Sequence, residues 1–137
     1  MLLFLVLFLL PPPVHGRNGG LVSQHQIGGK GIDKVYDYVV TPDNGLLLVG
    51  STTSFDVDDE DVYIVKINEK GEMMWNRTWG DWESDKGYAI TKTSDNNCVI
   101  TGASSVKDGI GDDVLFLKIN DQGKKRSNRS YGGNAWD

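Results

Sequence analysis

"KINEKGEMMWNRTWGD" (66–81) returns as "KINDQGKKRSNRSYGG" (118–133), displaced by 52 residues. Carried outward, the same displacement aligns two copies without a gap. Gly28 falls on Gly80 and then on Gly132, and Asp33 falls on Asp85 and then on Asp137. Between them Tyr36 matches Tyr88, Gly50 matches Gly102, Val62 matches Val114, and the pair Asn76 and Arg77 matches Asn128 and Arg129. Recurrence at a fixed period near fifty marks an architecture in which each copy is one structural unit.

Each unit divides into four short runs separated by turn residues. "VYDYVVT" (35–41) and its echo "GYAITKT" (87–93) partly alternate apolar with polar, as half-buried strands do. "PDNG" and "SDNN" follow as turns, because Asn and Gly adopt positive φ at little cost. "LLLVG" (46–50) and "CVITG" (98–102), then "DVYIVKIN" (61–68) and "DVLFLKIN" (113–120), are continuous apolar runs suited to strands covered on both faces. After the turns "EKG" and "DQG" comes the fourth run, "EMMWNRTW" (72–79), matched by "KKRSNRSY" (124–131). The third run is expected inside a sheet and the fourth at its outer edge, where the charges of the second copy discourage pairing with other chains.

Four strands per unit with no helical periodicity predict an all-β fold of β-propeller blades, each a four-stranded antiparallel sheet. The alternative, a flat β-solenoid, usually has shorter coils. Residues 28–79 form the first blade, 80–131 the second, and 132–137 begin a third. "LVSQHQIG" (21–28) lands on "MMWNRTWG" (73–80), so residues 17–27 read as a segment bearing an isolated outer strand of the ring-closing type. A ring needs about four to eight blades. The sequence therefore reads either as an incomplete propeller whose missing blades lie in cis, or as a short chain that builds its ring as a homo-oligomer.

"MLLFLVLFLLPPPVHG" (1–16) opens with an apolar run too short to cross a bilayer of roughly 30 Å as a helix, and prolines end it. It reads as a signal peptide and implies secretion or display at the cell surface; an uncleaved anchor is the alternative. Cys98, the single cysteine, takes the place of Leu46 in the first copy and reads as a buried, inert thiol. The net charge is −5 over 137 residues, with ten acids and five bases in residues 28–79. That balance argues against nucleic acid as a partner.

These residues are similar to a known group. "TPDNGLLLVGSTTSF…DVYIVKINEKGEMMWNRTWGD" and its second copy resemble the secreted β-propeller repeat proteins of bacteria and archaea, whose blades read roughly "DGGYIVAGST…DVWVVKLDSNGNIQWQKTYGG". The resemblance covers nearly all of residues 28–137. It implies a secreted or cell-surface protein of this fold, and it carries no catalytic residues. Ser127 stands where the family has Trp and Asn97 where it has Gly, which implies looser packing on the outer side of the second blade.

Several constellations remain. Asp33, Asp85 and Asp137 recur at a fixed distance from a tight turn, where a short acid can bond backbone N–H groups of the following strand and hold the loop between blades; alternatively they line a channel and bind a cation or sugar. "FDVDDEDV" (55–62) packs five acids into six positions. Asp56, Asp58, Asp59 and Asp61 therefore form either a solvated acidic loop or a calcium site, without the central Gly and closing Glu of an EF-hand. "NRT" (76–78) and "NRS" (128–130) make Asn76 and Asn128 glycan acceptors if the source is a eukaryote. Trp79, Trp82 and Trp136 stand near the blade junctions, either as ligand contacts or as packing between blades.

Beyond the signal His25 is the only histidine, so the chain has no multi-histidine zinc site and no persuasive nucleophile–base pair. The sequence is thus read as a noncatalytic module that binds protein or carbohydrate, with no cofactor other than the calcium alternative. The competing reading is a scaffold fragment of a secreted glycan-degrading hydrolase or of a quinone-type oxidoreductase, whose blades "INEKGEMMW" (67–75) resembles in placing a Trp after a Gly turn.

Overall fold

A computed structural model describes residues 24–57, 59–105 and 111–132. Their fold is all-β without helices: β1 (Asp33–Val40), β2 (Leu46–Thr52), β3 (Asp61–Ile67) and β4 (Met73–Trp79), then β5 (Asp85–Lys92), β6 (Asn97–Ser105), β7 (Asp112–Asn120) and β8 (Lys125–Tyr131). They make two blade-like antiparallel sheets, ordered β1-β2-β3-β4 and β5-β6-β7-β8. Every connection within a sheet is a hairpin, and the first turns of the two sheets match. Asn44 and Asn96 each sit at φ 58°, and each donates its N–H back to Thr41 or Thr93. The side chain of Asn is one of the few that tolerates this left-handed conformation.

Register explains which residues meet. Leu46, Leu48, Tyr63, Val65 and Ile67 share one face of the first sheet, here called its front, and form one apolar cluster. Leu47, Val49, Val62 and Ile64 share the back and belong to the other cluster, together with Ile90, Cys98, Ile100, Leu115, Leu117 and Ile119 of the second sheet. Subtracting 52 from those second-sheet numbers returns front-face positions. The back of sheet one therefore packs against the front of sheet two, and the periodic sequence yields a periodic stack.

The consequence is unequal burial. Every residue of β2 and β3 is buried, as continuous apolar runs require. The same runs in β6 and β7 alternate buried with half-exposed, because the back of sheet two, unlike the back of sheet one, has no sheet against it among the described residues. Val114 is 53% exposed on the back of sheet two, while its counterpart Val62 is fully buried.

Both sheets carry a bulge at one repeated place. Tyr36 falls between Val35 and Asp37, and Tyr88 between Gly87 and Ala89, each without a cross-strand partner. The opposing strand approaches so closely that a Cβ on Gly50 or Gly102 would lie within 1.8 Å of the carbonyl of Lys34 or Lys86. The bulged rings meet edge to face, centroids 5.3 Å apart. Polar links cross the same junction: Asp85 N–H donates to the Glu60 carbonyl at 2.6 Å, and Lys86 lies 3.1 Å from the Glu60 carboxylate.

Residues 24–27, the described part of the N-terminal segment, form no strand. Ile27 nevertheless packs on the front of sheet one, as its counterpart Trp79 packs against the cluster shared with sheet two.

Candidate functional site

The sheets approach along β5, which lies against β1, β2 and β3. Toward β4 and β8 they leave a cleft of about 320 Å³. Val62, Trp79, Gly80 and Asp81 form one wall; Leu115, Leu117, Lys125, Asn128, Arg129 and Ser130 form the other, with Asp85 and Ser104 also in the lining. Register accounts for much of this. Ser130 lies opposite Leu115 and Asn128 opposite Leu117, so these polar side chains share the inward face with the apolar floor.

A slip in register brings Lys125 inward as well. Lys118 pairs with Ser127 but Ile119 pairs with Lys125, which leaves Arg126 as the extra residue and puts Lys125 on the side of Ile119. Its ammonium stands 4.5 Å from the centre of the Trp79 ring, a cation–π contact between the sheets. The Trp79 Nε1–H is buried and has no hydrogen-bond partner among the described residues.

Asp85 is 5% exposed and accepts from the Asp81 N–H at 3.1 Å. Burial pushes its carboxyl above the usual carboxylate range, against a hydrogen bond from Ser104. Asp33 has the same geometry, accepting from the Gly29 N–H at 2.8 Å and from the hydroxyls of Thr52 and Ser54. Each acid thus bonds the N–H four residues before it, rather than one in the strand that follows.

Of the residues singled out from the sequence, Trp79, Asp85 and Asn128 come together in the cleft. Trp82 does not line it and is 78% exposed. The two sequons differ in surroundings. Asn76 is half-buried, its Nδ2 donating to the Tyr63 hydroxyl at 3.2 Å, whereas Asn128 is exposed. Asp56 and Asp59 are exposed, while Asp61 is buried with its carboxylate against Gly80. Among the described residues no three His, Cys, Asp or Glu side chains gather where they could hold a metal ion. Asp58, Trp136 and Asp137 lie outside the described residues, as do residues 1–16, which the sequence marks as an expected signal peptide. The Cys98 thiol is buried in the inter-sheet core, and burial pushes it up.

Lys125, Arg129 and Ser104 belong to the cleft but were not evident as site residues in the sequence. "KKRSNRSY" read as the charged edge of a sheet, and a two-residue period without the slip puts Lys125 on the side of Ser127. The cleft offers an apolar floor, an indole, the Lys125 cation, two carboxylates and several neutral donors, and its described lining includes neither histidine nor cysteine; Arg129, opposite Phe116, falls on the alternate face of β8. Such a surface orients a polar ligand by many hydrogen bonds. No protein family and no curated protein matches the chain.

Proposed function

We propose that the chain is a noncatalytic β-propeller repeat module, secreted or displayed at the cell surface, that binds carbohydrate or protein through the cleft between adjacent blades. The remaining blades of the ring are supplied in cis or by further copies. The observation that carries the reading is the cleft itself: an apolar floor rimmed by hydrogen-bonding groups of both signs. The apolar leader supports the extracellular assignment.

In a glycosylating host Asn128 is the sequon open to modification, because the Asn76 amide is engaged by Tyr63. A glycan on Asn128 would enter the cleft, so binding is best measured on chain from a host that adds none. A glycan array probed with that chain tests the proposal. Selective binding without turnover supports it, turnover supports a hydrolase scaffold instead, and the absence of any binding counts against the carbohydrate branch. The protein branch then rests on whether Lys125→Ala abolishes capture of an extracellular partner.

A further inference from the structure

The two sheets meet through a row of alternating charges that is unfinished at both ends. Glu60, bonded by the Ser51 hydroxyl at 2.6 Å, lies between Lys34 of its own sheet at 3.4 Å and Lys86 of the next at 3.1 Å. One repeat further on, Glu60 becomes Asp112, which the Ser105 hydroxyl bonds at 2.7 Å. Asp112 is exposed, and among the described residues no cation stands within ion-pair distance of it. Lys34, the counterpart of Lys86, has the acid of its own sheet but none from a preceding one. The apolar surface is unfinished too. Val62 and Ile64 are fully buried at the junction, whereas their counterparts are the exposed Val114 and the half-buried Phe116.

At the opposite face the N-terminal segment holds the place of an outer strand. His25 lies over Gly71, where an added Cβ would stand 2.9 Å from the imidazole, as Trp75 and Arg77 lie over Gly123. Ile27 packs on the front of sheet one as Trp79 packs on the cluster shared with sheet two, and the Gly29 N–H bonds Asp33 as the Asp81 N–H bonds Asp85. His25, Ile27 and Gly29 precede Arg77, Trp79 and Asp81 by one period, and Arg129, Tyr131 and Gly133 come next in that series. Ile27 of one copy and Tyr131 of another would therefore compete for one place.

We propose that the back of sheet two docks on the front of sheet one of a second copy, Asp112 pairing with Lys34 of that copy and Tyr131 displacing its Ile27. The inference rests on the propeller reading proposed above and commits the missing neighbour to a further copy of this chain. Asp112 gains the second cation that Glu60 already has, and Val114 and Phe116 gain the cover that Val62 and Ile64 have. The contact is reversible for two reasons. It exchanges with the chain's own segment, and Val35 stands where Gly87 lets the sheets within the chain approach Val49 and Val62 closely.

The test is analytical ultracentrifugation, over a range of concentrations, of chain from a host that adds no glycans. Reversible association that weakens as salt rises is expected. Asp112→Lys and Lys34→Glu should each weaken it at least about tenfold, and mixing the two variants should restore it, because opposite charges then meet at every contact. Ile27→Ala, which loosens the segment, and Val35→Gly, which admits closer approach, should each tighten it. Thermal melts establish that each variant is folded. A monomer in the parent, Ile27→Ala and Val35→Gly forms alike, association untouched by both charge changes, or a mixture no better than its components would each overturn the inference. Were the chain monomeric yet selective on the glycan array, this inference would fall and the binding module proposed above would stand.

Discussion

The backbone N–H of Ile90 donates to Asp37 Oδ2 at 2.9 Å, joining two sheets across 53 residues of chain. Asp37 follows the bulge at Tyr36, and its counterpart 52 residues on is Ala89. The bond is therefore specific to this junction although the backbone around it repeats. Asp37→Ala should destabilise the fold by about 1.5–3 kcal/mol, the range of hydrogen bonds to charged groups, and Asp37→Asn by less. Urea denaturation of the three proteins measures the difference.

Val62 and Val114 occupy one repeat position in two surroundings, fully buried and 53% exposed. Val62→Lys should prevent folding, since an unpaired charge in the core costs several kcal/mol. Val114→Lys in the same chain should stay within about 0.5 kcal/mol of the parent. Circular dichroism and thermal melts distinguish them, and equal effects would contradict the stacking of back on front.

Gly87 takes the place of Val35 at the closest approach of the sheets. A Cβ there would stand 2.6 Å from Val49 and 3.0 Å from Ile100 and Val62. Gly87→Ala should therefore cost about 1–3 kcal/mol by overpacking, and Val49→Ala in the same chain should recover part of it. A double-mutant cycle by chemical denaturation reads the coupling.

Two repeated clasps and one buried acid titrate in opposite senses. Asp43 is held well below the usual carboxylate range by hydrogen bonds from Lys66 and Thr41, and Asp95 in the same way by Lys118 and Thr93. Their stabilisation is present above the unfolded carboxylate value near 3.8 and is lost as pH falls toward the depressed folded value. Asp85, pushed up by burial, contributes below its unfolded value and loses that contribution as pH rises through the raised one. Asp43→Asn with Asp95→Asn should flatten the acid limb of a stability–pH profile, and Asp85→Asn should flatten the part just above it.

Much of the fold was legible because the period repeats both turns and apolar runs. β3 begins at Asp61 and β2 at Leu46, where the runs predict, and Asn44 and Asn96 take the positive φ expected of them. The unequal burial of β2 and β6 was not legible, since Val49 and Thr101 differ by one polar atom while their neighbours differ by a whole sheet. The cleft was half legible. Trp79 and Asp85 are marked by their repeat positions, but Lys125 reaches the indole only through a one-residue slip in pairing, and such a slip leaves no mark in a charged edge run.

At the junction within this chain, back is received by front. A handshake of like with like ends once made, but this one has direction, so each newcomer re-creates behind itself the demand it has met. The head count of any assembly built this way is then a matter of geometry: growth halts where successive tilts sum to a full circle and the last arrival meets the first.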